Sequence, residues 1–156
     1  MQYRFLVPVV AAIVLAAFSG CDVGPPGEET REAVLMTNHV IGASITASLR
    51  EGFDLEKIEY DADAGVVTFT ETPLEQYGLD LGYTGVNGEA RVRGGNLQEA
   101  DLRLSGGPIT ELSYEFQEAD PLADEWTVTG TADGARFELE LSTEEVQAFS
   151  REIRSQ

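Results

Sequence analysis

The sequence is poor in the residues that most often carry chemistry. One cysteine and one histidine in 156 residues exclude a disulfide framework, a zinc finger and an iron–sulfur site supplied by this chain alone. Ten Lys and Arg stand against 28 Asp and Glu, a net charge of −18. So few cations, and no cluster of them, argue against nucleic acid, because phosphate binding needs grouped Lys and Arg. There is no G-x-S-x-G elbow, no phosphate loop and no internal repeat at solenoid spacing. What remains is an ordinary composition for one folded domain, 42% hydrophobic and 24% charged, too apolar for a disordered chain despite its charge.

The first twenty residues read as an address. Met1-Gln2-Tyr3-Arg4 is a short positive start, Phe5 to Phe18 is an apolar run without charge, and Ser19-Gly20-Cys21 precedes an abrupt change to Asp22, Gly, Pro and Glu. These are the parts of a secretory signal. The run is shorter than the roughly 20 residues of a spanning helix and contains Pro8, so a transmembrane span is the weaker reading. Leu15-Ala16-Ala17-Phe18-Ser19-Gly20-Cys21 resembles the lipobox of bacterial lipoproteins, with Phe18 where an aliphatic residue is more usual. The resemblance implies that residues 1–20 are removed and that Cys21 receives a diacylglycerol thioether. It also implies acylation, by palmitate or a similar chain, of the new amino terminus. One acyl chain holds a protein marginally, two or three firmly. Asp22 resembles the inner-membrane retention signal of enterobacterial lipoproteins. The expected location is on a membrane, facing the periplasm or the cell exterior.

Cleavage would remove Arg4 and no acid, leaving 9 basic against 28 acidic residues, net −19, with Lys57 the only lysine. Such a charge favours solubility and strains the fold by self-repulsion at low salt. It suits either a high-salt habitat or a generic acidic surface, and anionic headgroups would repel it. Residues 21–29, with Gly24-Pro25-Pro26-Gly27, read as the lipidated cysteine and a short tether. Residues 30–156 read as a single domain.

The domain is expected to be α+β. Its first helix covers Glu28 to Arg50, because Val34, Asn38, Ile41, Ile45 and Leu49 follow helical spacing, with Gly52 ending it. Met36 and Val40 widen the stripe, so more than one side should be buried. From Lys57 to Leu141 the apolar period is two, as in Ala100, Leu102 and Leu104 against Asp101 and Arg103. This predicts an antiparallel meander of seven or eight strands with one apolar face. Asp63-Ala64-Gly65, Asn87-Gly88, Gly94-Gly95-Asn96, Gly106-Gly107-Pro108 and Asp133-Gly134 are the expected turns. Ser142 to Ser155 reads as a short C-terminal helix, in which Ser142 and Glu145 resemble a capping box and Val146, Phe149 and Ile153 form a stripe. The first helix is expected to lie in the concave face of the sheet.

Candidate sites are few. His39 is the only side chain with an unperturbed pKa near neutrality, but no nucleophile motif adjoins it. Asp61-Ala62-Asp63-Ala64-Gly65 suggests alternate carboxylates for calcium, yet Gly65, Val66 and Thr72 stand where such a loop needs an oxygen ligand, Gly and Glu. A hairpin turn is the simpler reading. Glu118, Asp120, Asp124 and Glu125 form an acidic loop able to meet a divalent ion or a basic partner. Gly82, Gly85 and Gly88, with Tyr77 and Tyr83, mark an irregular stretch of turns or bulges. Tyr60, Phe69, Tyr114, Phe116, Trp126 and Phe137 all project to the dry face, as core or as the lining of an apolar pocket for a lipid or other ligand. The functional expectation is a lipid-anchored, non-catalytic interaction or accessory module without cofactor or metal, whose acidic outer sheet face meets a protein partner. The alternative is a carrier or sensor of an apolar ligand held between sheet and helix.

Overall fold

A computed structural model describes residues 27–50, 55–78, 82–93, 96–117 and 124–154. The signal, Cys21 and the residues up to 26, together with Gly52, Gly94, Gly95, Glu118 and Asp120, lie outside the described residues. The fold is α+β: helix α1 (Glu28–Ser48), strands β1 (Ile58–Asp61), β2 (Val66–Pro73), β3 (Gly85–Arg93), β4 (Asn96–Ser105), β5 (Glu111–Phe116), β6 (Glu125–Ala132) and β7 (Ala135–Ser142), then helix α2 (Thr143–Arg154). The strands pair antiparallel in sequence order, giving one seven-stranded meander.

Alternation sets which side of the sheet is dry. One row of Cα partners runs Tyr60, Val67, Ala90, Ala100, Tyr114, Gly130, Phe137 across all seven strands. The row displaced by one residue runs Glu59, Thr68, Glu89, Asp101, Ser113, Thr131, Arg136. The first belongs to the inner face and the second to the outer one. A one-residue slip would exchange the two sets, so register is strongly specified.

Helix α1 covers the inner face from side to side. Its 21 residues extend about 31 Å at about 1.5 Å per residue, and seven strands about 4.8 Å apart span about 29 Å. Arg31 near its start reaches the carbonyl of Glu140 on β7. Thr37 meets Tyr114 on β5, and Ser44 meets Tyr77 beyond β2. The consecutive residues Ala33 to Thr37 are all buried, because the sheet lies below them and α2 beside α1. That accounts for the wide stripe.

Both polar contacts with tyrosine have a fixed sense. Thr37 Oγ1 donates to the carbonyl of Ala33 at 2.8 Å, so Tyr114 donates its hydroxyl proton to Thr37 across 2.8 Å. Ser44 Oγ donates to Val40 O, and Tyr77 donates to Ser44, also at 2.8 Å. Each tyrosine thus pins α1 through a hydroxyl already committed to the helix backbone, and no buried donor among the described side chains is orphaned. Burial pushes the Tyr77 hydroxyl up to about 12 and that of Tyr114 higher still, since either phenolate would be desolvated.

Three boundaries differ from the sequence reading. Helix α1 stops at Ser48 rather than Arg50, and Leu49 is exposed instead of completing the stripe. Ser44, Thr46 and Ser48 bond back to the carbonyls of Val40, Gly42 and Ser44, a weak helical sequence that competes for its own backbone. Asn87-Gly88 is not a hairpin turn but lies inside β3. Gly88 takes φ 125°, and a Cβ there would stand 2.1 Å from the Asp101 carbonyl oxygen. Opposite it the register of β2 shifts between Phe69 and Thr72, Glu71 takes φ 47°, and the Asn87 side chain accepts the displaced Glu71 N–H at 2.6 Å. The glycine serves a bulge on the neighbouring strand. Finally, α2 begins at Thr143 with Ser142 as its cap, since Glu145 N–H donates to Ser142 Oγ at 3.1 Å. The Glu145 carboxylate does not complete a capping box; it holds the Arg31 guanidinium at 2.5 and 2.7 Å.

Candidate functional site

The six inward aromatics are core and core margin. Phe69, Tyr114 and Phe137 are buried, while Tyr60, Phe116 and Trp126 are partly buried against them. Tyr114 and Phe116 meet edge to face at 6.0 Å. Gly130 makes room for this packing. It pairs with both Tyr114 and Phe137, and a Cβ on it would lie 2.0 Å from the Ser113 carbonyl oxygen. Between α1 and the sheet, beside Phe69, Val86 and Ile41, there is about 170 Å³ of interstitial space with no room for a water molecule.

The outer face is different. A hollow of about 690 Å³ lies over β3 to β7, and a second of about 720 Å³ adjoins it, the two sharing Glu89, Asp101, Ser113 and Thr131. On β5 and β6 the hollow is lined by the short hydroxyl side chains of Ser113, Thr129 and Thr131, with Glu115 beside them. Its sides carry Glu89 and Arg91 on β3, Glu99 and Asp101 on β4, and Arg136 and Glu138 on β7.

Like charges face one another here. Glu89 is the register partner of Asp101, and Glu99 that of Glu115. Directly opposed like charges destabilise a sheet by up to about 1 kcal/mol per pair. Local compensation is incomplete. Arg91 holds Glu99 at 3.2 Å, Arg103 holds Glu111 at 3.3 Å, Ser113 Oγ donates to Asp101 at 2.8 Å, and Gln117 donates to Glu115 at 3.2 Å. These groups are exposed, so each ion pair contributes little stability.

The other candidates are brought to separate places. His39 sits half-buried in the seam between the helices, 3.1 Å from Ser150 Oγ, its ring edge-on to Phe149 at 6.4 Å. Asp61 caps the β1–β2 turn, its carboxylate accepting the N–H of Asp63 and of Ala64. Asp124 and Glu125 lead into β6, and the Asp124 carbonyl accepts the Thr143 N–H. Tyr83 is buried over Gly107 and accepts the Ile109 N–H at 3.4 Å. Burial raises its pKa, and the carboxylates of Glu29, Asp133 and Glu32 add to the rise. Among the described residues no group of His, Cys, Asp and Glu is arranged to hold a metal, and no helix is long and apolar enough to cross a membrane.

The outer hollow was foreshadowed in the sequence only as an acidic outer face. Its floor had a signal in the small hydroxyl residues at alternate positions 129 and 131, but depth depends on how neighbouring strands curve. The class defined by these features is an α+β meander with one helix-covered face and one acid-rich face that no described element covers. Comparison with family models, curated proteins and solved structures finds no match for this chain.

Proposed function

We propose that this protein is a lipid-anchored module of the bacterial envelope, held at Cys21 and acting by binding rather than catalysis. Its outer sheet face is the surface that meets a protein partner. The observation that carries the reading is the asymmetry of the sheet. Between α1 and the inner face, the void beside Phe69, Val86 and Ile41 has no space for water, whereas the outer face keeps a broad hollow with opposed, incompletely compensated carboxylates. The charged side chains of that hollow are not needed to fill a core, and a partner supplying cations would relieve their repulsion. Anchoring rests on the lipobox-like segment ending at Cys21.

Carriage of an apolar ligand between sheet and helix is the rival. It requires α1 to lift from Tyr114 and Tyr77, breaking both hydroxyl bonds, so it ranks second. Two experiments test the proposal. Cys21→Ala should leave the precursor uncleaved and unlipidated; unchanged acylation would remove the anchor. A photo-crosslinking residue at position 113 or 131 should give a discrete adduct in the envelope of intact cells, while one at exposed Glu75 gives none. Equal labelling from all three positions would contradict the assignment of the surface.

A further inference from the structure

We infer that the outer hollow receives an extended, basic segment of its partner, lying along β4 and β5. This rests on the binding reading above and adds the chemistry of the occupant. Three features of this sheet face, which no described element covers, lead to it.

The first is the shape of the charge. Short side chains at positions 113, 129 and 131, with Glu115 beside them, lie between Glu89, Arg91, Glu99 and Asp101 on one side and Arg136 and Glu138 on the other, five carboxylates against two guanidinium groups. Arg91 answers only Glu99 among them. A cation entering between Glu89 and Asp101, which are register partners, would meet two carboxylates at once, and the same holds between Glu99 and Glu115.

The second is spacing. Asp101 and Glu99 are two residues apart on β4, so the Glu89–Asp101 and Glu99–Glu115 pairs lie in rows about 6.8 Å apart along the strands, the first between β3 and β4 and the second between β4 and β5. An extended segment presents alternate side chains with that same repeat. Successive basic residues at positions i and i+2 would therefore meet the Glu89–Asp101 and Glu99–Glu115 pairs, leaving the hydroxyls of Thr129 and Thr131 for the segment's polar groups.

The third is the absence of a stacking platform. Every aromatic residue of the described strands stands at an inner-face position, packed in or against the core, so among the described strands no ring stands on the outer face for a sugar or a base to stack on. Recognition must work through charge and hydrogen bonds, which are the terms that a Lys- or Arg-bearing polypeptide supplies.

The test uses the purified, isotope-labelled protein and a nine-residue peptide alternating Lys and Thr. Titration followed by NMR should shift amides around Asp101, Ser113, Glu115 and Thr131 at moderate salt, and a Glu89→Gln/Asp101→Asn double variant should weaken binding about tenfold. The Glu28→Gln/Glu29→Gln pair on α1 removes the same charge elsewhere and should leave affinity unchanged. If both double variants weaken binding alike, or shifts spread over every acidic segment, the interaction is non-specific attraction and the inference is overturned. Identical shifts with calcium chloride alone would overturn it in favour of a cation. No peptide binding, with the position-113 adduct in cells retained, would remove the basic segment and leave the binding reading standing. Loss of both would remove both.

Discussion

The two faces of this sheet are made of the same strands and differ by one residue of register. On the inner face the row Tyr60, Val67, Ala90, Ala100, Tyr114, Gly130, Phe137 mixes large and small apolar residues, and α1 packs over it. On the outer face the row Glu59, Thr68, Glu89, Asp101, Ser113, Thr131, Arg136 places carboxylates side by side with no covering element described. Each large inner side chain contributes roughly 1.5–3 kcal/mol by leaving water, whereas the outer charges contribute little or oppose folding. The comparison teaches that stability and the proposed binding surface are assigned to opposite sides. Changes on one side should therefore leave the other largely intact.

The sharpest way to break the comparison is at Gly130. A side chain there meets strand backbone rather than a movable side chain, so Gly130→Val should cost about 3 kcal/mol or more and separate β5 from β6. Denaturant unfolding would register the loss; a change under about 1 kcal/mol would mean that the strands are not packed as described.

Tyr114→Phe should cost about 1 kcal/mol, because it removes one buried hydrogen bond while Thr37 keeps its bond to Ala33. The same tyrosines give an alkaline signature. Their folded pKa values lie above the ordinary 10, so the stability that they contribute is complete below pH 10. It falls as pH rises further, since the unfolded chain loses those protons first. Thermal melts above pH 10 should show a steeper decline in the native protein than in a Tyr77→Phe/Tyr114→Phe variant.

At the helix seam, Arg31→Ala should cost about 0.5–1 kcal/mol, discounted because both partners are about one-third exposed. The hydrogen bond from Arg31 holds the Glu145 carboxyl below its ordinary 4.5. Its contribution is therefore present above about pH 4.5 and lost as pH falls through the depressed folded value. Acid melts of the native protein and Glu145→Gln should converge at low pH; parallel curves would show that the pair adds nothing.

The smallest effect is expected on the outer face. Asp101→Asn keeps an acceptor for Ser113 and removes one of two opposed charges, so at low salt it should be neutral or stabilising by up to about 0.5 kcal/mol. Molar NaCl should raise the melting temperature of the native protein and erase the difference from this variant. A destabilising result would place Asp101 among the residues that hold the fold.

Much of this architecture is readable from residue types at fixed spacing. Ala100, Leu102 and Leu104 against Asp101 and Arg103 specify a half-buried strand with little ambiguity, and Asp133-Gly134, at φ 48° and 82°, is the hairpin turn that such a pair suggests. Asn87-Gly88 has the same local signature and a different outcome, because the alternation Val86, Gly88, Ala90, Val92 passes through it unbroken. The partner strand's bulge decides the matter, and that is not a local property. The bonds of Arg31 to Glu145 and Thr37 to Tyr114 join residues 114 and 77 positions apart, beyond any spacing rule. Thr37 did carry a hint, as a polar residue within the buried run of the first helix. In the outer hollow, the charges were legible but not which carboxylates would face one another, since that follows from pairing register.

The central claim is that the inner face is a filled core and that binding belongs outside it. Native mass spectrometry of the protein purified from bacterial membranes, with analysis of its organic extract, tests this most directly. The expected result is a polypeptide with the covalent lipid proposed at Cys21 and nothing else in stoichiometric amount. An apolar molecule retained one to one in the native mass and recovered in the extract would contradict it, and would place a ligand where α1 now closes the sheet.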